Sequence, residues 1–69
     1  PKFTDFISKK NTGILFASIY NFSISVEERL AYFKEAIKNR NQLLFCDENI
    51  LVKSEDDLEI IKNYYRFYY

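Results

Sequence analysis

With one cysteine and no histidine in 69 residues, this chain lacks the two staples that very small domains use most, disulfides and structural zinc. A chain so short buries only ~60% of the surface its unfolded form exposes. Two routes to stability remain: a dense apolar core, or association with another chain. The material for a dense core is present, since seven Phe and six Tyr contribute to a hydrophobic content of 48%. That content and the zero net charge also argue against long disordered stretches. Two domains do not fit, because a domain usually runs to ~100 residues or more. Residues 1–69 are therefore read as a single compact domain.

Lysine plus arginine and aspartate plus glutamate each number 10, for a formal charge of zero. Nucleic-acid binders usually carry a basic excess, because affinity rises with the number of phosphates neutralised. Balanced charge provides no global steering of a polyanion and leaves only a local patch as a route. No run approaches the ~20 apolar residues that cross a bilayer; Ile14 to Tyr20 is too short, so no membrane association is expected. No signal peptide is visible. The expected setting is cytoplasmic, and the single Cys46 fits a reducing compartment.

Along the chain, Phe3, Phe6 and Ile7 fall at i, i+3 and i+4, the spacing of a short helix with its Phe side inward. Lys9-Lys10-Asn11-Thr12-Gly13 is a polar break carrying the one glycine. From Ile14 to Ile24 the large residues scatter around a helical wheel and favour β-structure. Tyr20, Phe22 and Ile24 then alternate with Asn21 and Ser23. The expectation is one long strand, buried on both faces at its start and half-exposed at its end; the rival is a buried helix. Ser25-Val26-Glu27-Glu28 has the capping-box pattern, so a helix is expected from there to about Arg40. Its stripe, Val26, Leu30, Phe33 and Ile37, is only ~60° wide. Acids open that helix and Lys34, Lys38 and Arg40 close it, as the macrodipole favours.

Leu43 to Cys46 and Ile50 to Lys53 read as a hairpin around Asp47-Glu48-Asn49. Asn49 is suited to the left-handed conformation that such a turn needs. Ser54 followed by Glu55, Asp56 and Asp57 starts a last helix running to the C-terminus. The order short α-β-α-β-β-α implies an α+β fold, a small two-layer sandwich of about three strands backed by two helices. Its β-α-β crossover should be right-handed if those strands are parallel.

Catalytic equipment is scarce. Histidine, the usual acid–base group near neutral pH, is missing. Cys46 has no histidine base and is read as a small core residue at a strand end. The pairs Glu27/Glu28 and Asp56/Asp57 stand at helix starts, where capping accounts for them. One glycine excludes a glycine-rich phosphate loop, and Asp47-Glu48-Asn49 is too short for a calcium loop. The expectation is a non-enzyme with no cofactor and no metal.

The last helix carries more apolar surface than one core contact needs. Leu58, Ile60, Ile61, Tyr64, Tyr65, Phe67, Tyr68 and Tyr69 fill about 200° of the wheel, against the ~100° of an ordinary surface helix. Leu58, Ile61, Tyr65 and Tyr68 have the spacing of a core seam, which leaves Ile60, Tyr64 and Phe67 in surplus. Either a curled sheet buries both faces, or the surplus meets another protein. Tyr, Phe and Arg are enriched at interfaces because they bury area while keeping a polar handle. Tyr32, on the outer side of the middle helix, is a second exposed aromatic. The functional expectation is a small protein-binding module: an inhibitor, an antitoxin or immunity-type factor, or an adaptor. Its partner-binding residues would be Tyr32, Ile60, Tyr64, Phe67 and Tyr69, and self-association into a homo-oligomer is an option. The richness in Ile, Lys, Asn, Phe and Tyr resembles AT-rich coding, common in low-GC bacteria and their phages, so a phage or mobile-element origin is an expectation from composition and length. The alternative is a nucleic-acid-associated regulator using Lys34, Lys38 and Arg40 with nearby aromatics.

Overall fold

The computed structural model describes residues 3–68, and the side chains of residues 6–67 within them. The element order is a 3-10 helix (Phe3–Ser8), β1 (Gly13–Phe16), α1 (Val26–Lys38), β2 (Gln42–Phe45), β3 (Ile50–Val52), a 3-10 turn (Glu55–Asp57) and α2 (Leu58–Tyr68). The strands form one sheet in the order β1-β2-β3. β1 and β2 are parallel, joined through α1, and β2 and β3 are an antiparallel hairpin. This is the small α+β arrangement of three strands and two helices that the sequence implies. The N-terminal helical segment is 3-10 rather than α.

Register explains the core. Ile14 pairs with Leu43 and Phe16 with Phe45 across β1 and β2, while Leu43 pairs with Val52 and Phe45 with Ile50 across β2 and β3. Successive side chains alternate between sheet faces, so these six share the face that packs into the core cluster with Phe33, Ala36, Leu58, Ile61 and Tyr65 from the helices. Phe33 is at its centre. Its ring is 5.2 Å from Phe45, 5.6 Å from Phe22 and 5.8 Å from Phe16. Phe16 and Phe45 stack at 5.0 Å.

The long strand expected from Ile14 to Ile24 does not form. β1 ends at Phe16 because β2, its ladder partner, ends at Phe45, and the chain then turns through residues 46–49. Ala17 to Ser25 is a loop in which the Ala17, Tyr20 and Ser25 carbonyls accept backbone N–H groups and several other polar groups are met by side chains. Ser18 Oγ and the Ile19 N–H both donate to the Glu48 carboxylate. Tyr65 donates its hydroxyl to the Ile19 carbonyl. Arg29 donates from Nε to the Ile24 carbonyl and from a terminal nitrogen to that of Phe22.

The two main helices start as their residues dictate. The Ser25 hydroxyl accepts from the Glu28 N–H at 3.2 Å, although the Glu28 carboxylate takes the Ser25 hydroxyl rather than its backbone N–H. Asp57 accepts from the Lys53 and Ser54 N–H groups. α1 closes two residues before Arg40. The Arg40 N–H donates to the Ile37 carbonyl and the Asn41 N–H to the Ala36 carbonyl, the bond pair of a Schellman motif, with Arg40 in the left-handed region at φ 64°. The buried line of α1 is Arg29, Phe33 and Ala36. Val26, Leu30 and Ile37 are half-buried, so the seam is rotated from the expected stripe, with Phe33 common to both.

Candidate functional site

α2 divides its apolar residues between two faces. Leu58, Ile61 and Tyr65 are buried in the core. Ile60, Tyr64 and Phe67, at i, i+4 and i+7, are 45%, 38% and 87% exposed. The division follows from helix geometry: a small sheet can cover only part of the arc, and residues three and four apart align on what is left. Phe67 is the most exposed of the large apolar side chains described.

The other expected partner-binding residues are placed differently. Tyr32 is half-buried and packs against the core cluster, so it is not an outward-facing aromatic. Tyr69 lies outside the described residues. Cys46, read from sequence as a core residue, is exposed in the β2–β3 turn. That turn takes four residues, 46–49, so Cys46 leaves the strand, while Asn49 adopts the expected left-handed conformation at φ 56°.

The sequence reading missed a second apolar surface. Leu15 pairs with Leu44 and Leu44 with Leu51, forming a row across all three strands. By alternation this row occupies the sheet face opposite the core. Leu15 is 72% exposed, Leu51 is exposed and Leu44 is half-buried. The signal was parity, because once Leu43 and Phe45 face inward, Leu44 must face outward. Arg29 was missed as well. Its side chain is buried between loop and helix, with the guanidinium carbon 5.7 Å from the Phe22 ring centroid and 5.4 Å from that of Tyr65.

The basic side chains named in the alternative reading are divided between two places. Lys34 lies 3.7 Å from Glu55. Lys10, Lys38 and Arg40 line one shallow polar depression at the end of α1, Arg40 also lines a second beside it, and among the described residues no aromatic side chain lines either one. Lys38 and Arg40 there complement the negative end of the helix dipole. A third depression, between α1 and α2, has Val26, Leu30 and Tyr65 in its lining and Glu27, Lys62 and Arg66 around them. Among the described residues no group of three Cys, Asp or Glu side chains is placed to hold a metal ion. No described helix is long and apolar enough to cross a membrane. Compared with known proteins, the chain matches no family model, no curated protein and no solved structure.

Proposed function

We propose that this protein is a non-enzymatic binding module that presents the Ile60–Tyr64–Phe67 face of α2 to an apolar surface of another protein molecule, a different protein or a second copy of itself. The observation that carries this reading is the 87% exposure of Phe67 on a helix whose other face is anchored in the core. An aromatic held in water by a fixed helix is a preorganised anchor: it loses little conformational freedom on docking and gains a large buried area. Anchors at i, i+4 and i+7 are the pattern by which a helix fills a hydrophobic groove. Such a module works by occupying a surface, as an inhibitor, an immunity-type factor or an adaptor does.

The test is affinity capture from the native host's lysate with two baits, the parent chain and Phe67→Ala. The parent should retain a partner that the variant loses, and capture should survive an increase from about 50 to about 200 mM salt. Capture that ignores Phe67, or that collapses over that salt range as phosphate contacts do, would overturn the reading.

A further inference from the structure

We propose that the occupant of the α2 face is a second copy of this chain, docked antiparallel so that the two Tyr64 side chains meet near a two-fold axis and Ile60 of each copy meets Phe67 of the other. This rests on the protein-docking reading of α2 and names its partner. The 4-3 spacing of Ile60, Tyr64 and Phe67 is that of one seam against one neighbouring helix. Reversed end to end, the seam matches itself: the smaller Ile60 faces the larger Phe67 at both ends, with Tyr64 between. A two-fold interface requires that kind of self-complementary patch.

Charge selects both the partner and its direction. α2 and the turn before it begin with Glu55, Asp56, Asp57 and Glu59, and Arg66 lies in the last turn. An antiparallel copy sets the acidic start of each helix against the basic end of the other, at both ends of the seam. The opposed macrodipoles favour the same direction. Parallel docking would stack like against like. An unrelated partner would have to supply a basic and an acidic end in the right order, whereas a second copy supplies both by symmetry. The zero formal charge of the chain adds no net repulsion.

Area sets the strength. A large apolar or aromatic side chain contributes ~150–250 Å², so at their exposures the three side chains offer on the order of 350 Å² per copy. Doubled, this is below the ~1,200 Å² at which stable specific interfaces begin. The pair is therefore weak and exchanges with monomer.

Sedimentation of the chain over a dilution series from ~1 mM to ~1 µM tests this, those limits bracketing weak association. Dimer is expected at the top of the series and monomer at the bottom. Phe67→Ala should weaken association ~30-fold or more, the scale of losing one hot-spot side chain, with the far-ultraviolet circular dichroism unchanged. Glu59→Lys and Arg66→Glu should each weaken the dimer several-fold, and the double variant should restore it, because antiparallel docking brings position 59 of one copy towards position 66 of the other. A parent that stays monomeric at ~1 mM overturns the self-docking inference, while the broader reading stands if Phe67-dependent capture of another protein persists. A dimer that ignores Phe67→Ala but is lost on Leu15→Glu pairs through the sheet instead and overturns the inference too. Failure of the double variant to recover overturns the antiparallel arrangement.

Discussion

The backbone N–H of Ile19 donates to the Glu48 carboxylate at 3.0 Å, joining the loop after β1 to the turn between β2 and β3. The same carboxylate takes the Ser18 hydroxyl. Beyond Ala17, whose carbonyl still takes the Asp47 N–H, the loop has no strand partner, yet the Ile19 side chain is fully buried. Glu48 supplies what a ladder would have supplied and so fixes where Ile19 enters the core. Tyr65 closes the arrangement from the other side, its hydroxyl donating to the Ile19 carbonyl.

Removing that carboxylate should therefore loosen the whole loop. Glu48→Ala is expected to cost about 2 kcal/mol, the scale of losing hydrogen bonds to a charged group. In a chain of 69 residues that lowers the melting temperature by about 10 °C. Glu48→Gln keeps an acceptor for the Ile19 N–H and should fall between the two. An unchanged melt for the alanine variant would mean that core packing alone positions the loop.

Arg29 makes a similar prediction with different chemistry. Its guanidinium reaches two loop carbonyls at 3.0 and 3.2 Å and lies near the rings of Phe22 and Tyr65. A lysine has no planar fork to match this geometry and stacks less well. Arg29→Lys should lose about 2 kcal/mol despite keeping the charge, measured by urea unfolding. A loss below about 0.5 kcal/mol, the scale of an ordinary surface substitution, would show that charge alone matters there.

Phe33→Ala should be more severe. The ring is fully buried among Phe6, Phe16, Phe22 and Phe45. Truncating such a residue costs ~3–5 kcal/mol, and at ~0.05–0.15 kcal/mol per residue a chain of this size has only ~3–10 kcal/mol in total. Loss of the cooperative thermal transition is the expected result. A melting temperature within a few degrees of the parent would place Phe33 outside the effective core.

These residues also show how far the sequence could be read. Phe33 was legible because its neighbours share helical spacing, and Asn49 because few residues other than glycine tolerate φ near 56°. The split of α2 was legible as surplus arc, since Leu58, Ile61 and Tyr65 already made a seam. The loop from Ala17 to Ser25 was not. Its alternation looks like a strand, but a strand needs a partner of equal length, and the length of β2 is set by a turn some 30 residues away. Arg29 was hidden for the same reason: its acceptors are carbonyls of that loop, a relationship without periodicity. Tyr32 looked exposed on the wheel because the wheel does not show what packs beside a helix.

The end of α1 offers a test in which stability should rise. Arg40 sits at φ 64°, with its N–H donating to Ile37 and the next N–H to Ala36, the place in a Schellman motif usually filled by glycine. A non-glycine residue there costs ~1–2 kcal/mol in strain. Glycine removes the strain but adds ~0.5–1 kcal/mol of unfolded-state entropy, and losing a cation at the helix end forfeits ~0.3 kcal/mol or more. Arg40→Gly should therefore gain about 0.5 kcal/mol, a rise of about 3 °C in melting temperature. Arg40→Ala keeps the strained backbone and loses the charge, so it should gain nothing. The pair separates backbone from side chain: equal melting temperatures for the two variants would mean that the left-handed position carries no strain worth relieving, and a drop for both would assign the role of Arg40 to its guanidinium.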